Sequence, residues 1–241
     1  MLAPLDLAKP LAAYGHALIP PQRLLHGLDL DERTLNQLKP SWEHLPRDTY
    51  LRDSGRYRYR RHACFIQTLA HPDALERVAH RAHWQSTDYN ALHGGIERWF
   101  EPIELEVTAK EVWSRLLCGL GQVFAALARA PQWYIEAHQF RIDTAEGIGR
   151  PTPEGAHRDG VDFVAVILVQ RRDVRGGETR VFEASSSAGV RFTMQTPWTT
   201  LLLDDARVIH ETTPIQPDEA AGIRDTLVLT YRANGFQSPA P

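Results

Sequence analysis

The chain reads as α+β, with a jelly-roll core preceded and flanked by helices. Three observations predict it. The helical periods lie almost entirely before residue 130. Residues 131–236 break into short apolar runs separated by Gly, Pro and Asp, the pattern of strands and turns. At 241 residues, with 43% hydrophobic and 24% charged side chains, the chain has the composition and size of one globular domain. The expected organisation is therefore a single domain over 1–241, with a mainly helical elaboration over 1–130 and a jelly-roll core over 131–236.

In chain order, Asp31 to Leu38 reads as a short helix and Arg56 to Phe65 as a strand. Pro72 sits where a helix begins, which predicts a helix over 72–83. Thr108 to Arg129 is the clearest helix: Thr108 is in N-cap position with Glu111 completing a capping box. Val112, Leu116, Leu120, Val123 and Leu127 then recur at three or four residues. Trp133 to Ile142 reads as a strand, as do Val161 to Val169, Trp198 to Leu203 and Arg224 to Tyr231. Gly176-Gly177 marks a turn that needs positive φ or a tight approach.

Composition excludes several classes. A net charge of -3 gives no electrostatic case for nucleic acid or an anionic membrane. No apolar run is long enough to span a bilayer, and Met1 to Asp6 lacks the basic and apolar regions of a signal peptide. The two cysteines, Cys64 and Cys118, lie far apart and suit a reducing cytoplasm rather than a disulfide framework or a thiolate metal site. A homo-oligomer is compatible with all of this.

The chemistry concentrates at His157-Arg158-Asp159, His210 and Arg224-Asp225-Thr226. In extended chain, residues i and i+2 share a face, so His157 and Asp159 can reach one metal with Arg158 turned away. Two imidazoles and one carboxylate can fill one face of octahedral iron(II) and leave three positions open. On the last strand, Arg224 and Thr226 share a face and can grip one carboxylate, as the far end of 2-oxoglutarate requires. A second H-x-D, His71-Pro72-Asp73, is read as the start of the 72–83 helix.

The stretch from Pro151 to Thr179 resembles the bacterial 2-oxoglutarate/iron(II) amino-acid dioxygenases typified by L-isoleucine 4-hydroxylase. The similarity extends to Arg56–Tyr59, Gly94–Phe100 and Glu136–Ile142. The resemblance implies a double-stranded β-helix core, iron ligation by His157, Asp159 and His210, and 2-oxoglutarate binding by Arg224. It also implies O2 as oxidant and a free L-amino acid, aliphatic or otherwise small, as substrate. Related halogenases carry Gly or Ala at the carboxylate position, so Asp159 favours hydroxylation. Two other classes would use the same ligands. One is a non-oxidative, cupin-like isomerase or hydrolase; the other is a metal-binding sensor without turnover. An oxygenase acting on a modified amino acid is a further alternative.

Candidates for substrate contact are weaker. Gln139 and Arg141 share one face of their strand, and alternation does not say whether that face is inside. Arg56, Arg58, Arg60 and Arg61 form a basic cluster; Arg58 or Arg60 is a candidate partner for a substrate carboxylate, against the reading of a solvated, charge-blunted edge strand. Asn90, Arg98 and Trp99 are candidates for a lid or substrate wall. Glu178 is read as part of a turn rather than as a catalytic acid. His62, His80 and His83 show no ligand-like spacing, and His80 and His83 are read as lying on the surface of the 72–83 helix.

Overall fold

The computed structural model describes residues 4–90, 92–186 and 188–239; residues 1–3 of the start read above for a leader lie outside them. A seven-stranded antiparallel sheet forms the body of the molecule. Its order is β1 (His16–Ile19), β9 (Thr200–Asp204), β5 (Phe163–Arg172), β12 (Ile223–Arg232), β4 (Gln132–Asp143), β2 (Arg58–Thr68) and β3 (Leu75–Arg77). The smaller partners are a three-stranded sheet, β10 (Val208–Thr212), β7 (Thr179–Glu183), β8 (Gly189–Phe192), and the pair β11 (Ile215–Pro217) with β6 (Val174–Gly176). This is the jelly-roll architecture that the sequence predicts, with one difference. Three strands of the large sheet come from residues 1–130, so the core does not begin at 131.

On β4 and β12 the large sheet sends most of its apolar residues outward to the helices and its polar residues inward. On β4, Trp133, Ile135 and Ala137 join the main core, whereas Glu136, His138 and Phe140 face the other way. On β12, Leu227, Leu229 and Tyr231 pack outward while Arg224, Thr226 and Val228 line the interior. The outer layer is α1 (Pro4–Tyr14), α2 (Pro21–Leu28), α3 (Glu32–Asn36), α4 (Leu105–Thr108) and α5 (Glu111–Ala125). Helix α5 seats Phe124 against Phe163 and Tyr231, at ring separations of 4.7 and 4.8 Å. The Tyr231 hydroxyl donates to the Leu117 carbonyl at 2.9 Å. Each such ring withdrawn from water stabilises the layer by about 1.5–3 kcal/mol. A second apolar cluster, Val164, Leu168, Val181, Leu201 and Val208 among others, closes the far end between the sheets.

Two predicted helices differ. Residues 72–83 form no helix: Leu75–Arg77 pairs with β2 as β3, and His71-Pro72-Asp73 lies in the preceding turn. The edge of β2 offers hydrogen bonds that a short helix with few apolar residues cannot match. The 108–129 helix breaks at Ala109-Lys110 into α4 and α5. Thr108 ends α4 instead of capping α5, and its hydroxyl accepts from Arg77. Helix α3 forms within the short helix read over Asp31 to Leu38, and the Asp31 carboxylate caps it by accepting from Thr34 N.

Candidate active site

The loop after β4 carries His157 back beside β10, where its backbone exchanges two hydrogen bonds with His210, at 3.0 and 2.9 Å. This two-residue bridge brings residues 53 apart in sequence into one site. The His157 and His210 rings stand 4.6 Å apart, and the three groups His157, Asp159 and His210 each present a ligand atom within 4.8 Å of the others. Asp159 Oδ1 lies 4.0 Å from His157 Nε2, and Oδ2 lies 3.8 Å from His210 Nε2. His157 Nδ1 donates to the Gly155 carbonyl at 2.9 Å, which leaves the Nε2 lone pair free for a cation. Burial, and then the neighbouring His157, push the His210 pKa down to about 3, so this imidazole is neutral, as a ligand must be.

Asp205, fully buried, fixes the loop. Its carboxylate accepts from the backbone N–H groups of Asp159, Gly160 and Val161 at 2.8–3.1 Å. Burial, and then the Asp159 charge, raise its pKa to about 6. Gln85 Nε2 donates to Asp159 Oδ1 at 3.3 Å, and Gln85 Oε1 accepts from Asn90 and Arg98 at 3.1 and 2.9 Å. Neither Asp205 nor Gln85 stands out in the sequence; the Asp204-Asp205 pair ahead of His210 is the one available signal.

From the triad a single cavity runs over the inner faces of β12, β4 and β2. Registers place its side chains on a lattice: Arg224 and Arg58 both pair with Ile142, one on each side. The two guanidinium-bearing positions are thus two strand spacings apart, about 10 Å. Arg224 is buried, and one of its terminal nitrogens has no hydrogen-bond partner. Burial, and then Arg171, lower its pKa to about 10, so it remains a cation at neutral pH. A buried guanidinium with an unmet donor, flanked by the Thr226 hydroxyl, fits a carboxylate ligand. Arg58 is held by Asp48 through two contacts of 2.8 Å, and Arg60 stacks over Phe100 at 3.7 Å. Arg58 and Arg60 are therefore buried rather than on a solvated edge, whereas Arg56 is exposed and pairs with Glu146. Strand β2, which carries Arg58 and Arg60, lies between β3 and β4.

Two expected substrate contacts are overturned. Gln139 and Arg141 have the parity of Ile135 and Ala137 and face the outer layer. Gln139 donates to Ser41 at 2.7 Å, and Arg141 clamps Asp225 and Glu43 at 2.8–3.0 Å. Asn90 and Arg98 do line the cavity, whereas Trp99 is 53% exposed outside it. Glu178 pairs with Arg180 and takes no part in the cavity. Gly176 and Gly177 both adopt positive φ, +78° and +69°.

His62 and His83 are buried rather than superficial. With His138 they surround Glu136 Oε2 at 3.2, 2.6 and 3.7 Å. The donor set resembles a metal site, but Arg60 argues against one. It lies 2.7 Å from His138 Nδ1, and a guanidinium can only donate. That fixes the His138 proton on Nε2, which then points a hydrogen, not a lone pair, toward Glu136. The cluster is a hydrogen-bonded wall. Burial works to raise the Glu136 pKa, but the His83 and His62 contacts outweigh it and keep the carboxyl ionised. Burial keeps all three imidazoles neutral.

The sequence profile of the family described as 2OG-Fe dioxygenase matches residues 39–230, which include every triad residue and Arg224. The chain belongs to the 2OG-Fe dioxygenase family. This dioxygenase is an enzyme that uses iron(II), 2-oxoglutarate and O2, and the donor chemistry of the triad and of Arg224 suits the first two. Among solved structures, a bsmA homolog from Methylobium petroleophilum PM1 shares 55% identity over 99% of this chain and 96% of its own, with a TM-score of 0.94. IDO from Bacillus thuringiensis shares the fold at 18% identity and a TM-score of 0.76, each chain covered to 96%. The Fe(II)/(alpha)ketoglutarate-dependent dioxygenase TqaL does so at 18% and 0.72, over 99% of this chain and 91% of its own. No curated protein sequence matches the chain. Among the described residues, no helix is long and apolar enough to cross a membrane.

Proposed function

We propose that this dioxygenase hydroxylates a C–H bond of a free L-amino acid, aliphatic or otherwise small, and releases succinate and CO2. The observation that carries the reading is the pair of cationic poles in one cavity beside the triad. Arg224 serves 2-oxoglutarate. Arg98, on the adjoining wall, serves a second, smaller anion, whereas Arg58, which lines the same cavity, is already paired with Asp48. The resemblance to L-isoleucine 4-hydroxylase supports the same class.

His157, Asp159 and His210 would hold the iron, which with 2-oxoglutarate and O2 would supply the oxidation of the C–H bond. The remaining work belongs to the chain. Arg224 and Thr226 bind the far carboxylate of 2-oxoglutarate and so set its orientation. Gln85 holds Asp159 in place by donating to it. The wall of buried His83 and His138 with half-buried Phe140 excludes bulk water from the space beside the triad. Asp159 stands where the related halogenases carry Gly or Ala, so hydroxylated and not chlorinated product is expected even in chloride-containing buffer.

The test is succinate formation by iron-loaded protein with O2 and 2-oxoglutarate, across the twenty L-amino acids, with mass spectrometry of the products. Strong stimulation by a few of them, with one oxygen added, is the expected result. Background succinate with all twenty would refute the free amino-acid substrate and leave a modified one.

A further inference from the structure

The cavity holds one acid and one buried base, each with a buried polar atom whose bonding capacity is unmet. Glu154 sits in the turn Pro151–Gly155, closed by Gly155 N to the Thr152 carbonyl at 3.0 Å. Its Oε1 lies 3.7 Å from His157 Nε2, and its Oε2 is buried with no hydrogen-bond partner. A carboxylate oxygen removed from water without a donor is costly, and it marks a place where a ligand completes the site. Glu154, the triad residues and Arg98 line the same cavity.

Arg98 is 2% exposed. One terminal nitrogen donates to Gln85, its Nε has no partner, and among the described residues it has no carboxylate within ion-pair distance. Arg58 differs, because Asp48 already neutralises it. Gln85 bonds both Arg98 and Asp159, so the guanidinium is held at a fixed offset from the metal-binding carboxylate.

We propose that Glu154 and Arg98 are the two poles that recognise the substrate as a zwitterion, Glu154 accepting from its α-ammonium group and Arg98 donating to its α-carboxylate. The inference rests on the amino-acid reading above and deepens it. Two opposite charges a few bonds apart satisfy both unmet groups at once. The pair also selects against acylated, peptide-linked and des-amino analogues, because each leaves a buried charge unpaired. Glu154 went unnoticed in the sequence because it reads as one more polar residue of a Pro/Gly turn.

The test is calorimetric binding under anaerobic conditions to protein loaded with iron(II) and 2-oxoglutarate. The probes are the twenty L-amino acids, then the N-acetyl, α-amide and des-amino forms of whichever binds most tightly. Wild-type protein is expected to lose about 100-fold in affinity for each modified form. Glu154→Gln is expected to lose about 100-fold for the amino acid and little for the des-amino form, with partial recovery in Glu154→Asp. The visible charge-transfer band of the iron–2-oxoglutarate complex should persist in both variants. Unchanged amino-acid affinity in Glu154→Gln overturns this inference alone. So does loss of the band, which would make Glu154 a metal ligand. Wild-type tolerance of N-acetylation overturns it without recourse to any variant. Failure of wild type to bind any of the twenty overturns the amino-acid reading and this inference with it.

Discussion

Acidifying the metal-free protein from pH 7 to pH 5.5 should cost it about 3 kcal/mol of stability, and the cause is the histidine wall. His62, His83 and His138 are neutral in the fold because burial opposes their charging, His83 with a pKa near 3. In the unfolded chain each titrates at about 6.5. A pKa lowered by folding leaves the stability intact above the unfolded value and removes it as pH falls below that value. Over this interval the unfolded state gains about 1.2 kcal/mol relative to the fold from each of His83 and His138, and His62 adds to the loss in the same direction. Asp205 works in the opposite sense: its pKa of about 6 means the folded state binds the proton, returning just under 1 kcal/mol by the same linkage. His210, lowered to about 3, adds to the loss. His157 offsets it: burial lowers its pKa, but the Asp159 and Glu154 charges raise it overall.

Urea denaturation followed by tryptophan fluorescence, in chelator, at the two pH values measures the difference. With a slope of about 2–3 kcal/mol per molar urea, the midpoint should fall by roughly 1 M. His83→Gln, which can still donate to Glu136, should remove about 1.2 kcal/mol of the cluster's share. Coincident midpoints at pH 7 and 5.5 would refute the argument that three neutral imidazoles are held in the fold.

His210→Ala and Asp159→Ala should each abolish stoichiometric iron binding, read by elemental analysis, and with it succinate formation. Arg224→Ala should raise the 2-oxoglutarate KM by about 100-fold, with Arg224→Lys intermediate, because a monodentate ammonium replaces a fork; an unchanged KM would remove Arg224 from the cofactor site. Asp48→Asn should destabilise the fold by about 3–5 kcal/mol in denaturant titration, since it leaves Arg58 and Arg60 buried without their counterion. Gly177→Ala should cost about 1–3 kcal/mol, because φ is +69° and a Cβ would meet Ile215 and Arg171 at 2.9 and 3.0 Å.

The sequence by itself carried the fold class, the strands of the core, and the local geometry of His157 and Asp159, because i,i+2 alternation is a property of extended chain alone. It also carried Arg224 and Thr226 on one face of β12. What alternation cannot say is which face is inside. Gln139 and Arg141 went outward because the helical layer needed the parity of Trp133, Ile135 and Ala137 for its own core, leaving His138 and Phe140 for the cavity and Glu136 for the histidine wall beside it. The 72–83 segment became a strand because the edge of β2 was there to pair with, a partner no local propensity reports. Gln85, Arg98, Glu154 and Asp205 became parts of one site only when separate loops met around the triad. Gln85 and Asp205 reach Asp159 across 74 and 46 residues, Arg98 is tied to the site through Gln85, and Glu154 Oε2 is left unmet until a ligand arrives. Contacts of that range are set by how the sheets close on one another, which only the tertiary structure decides.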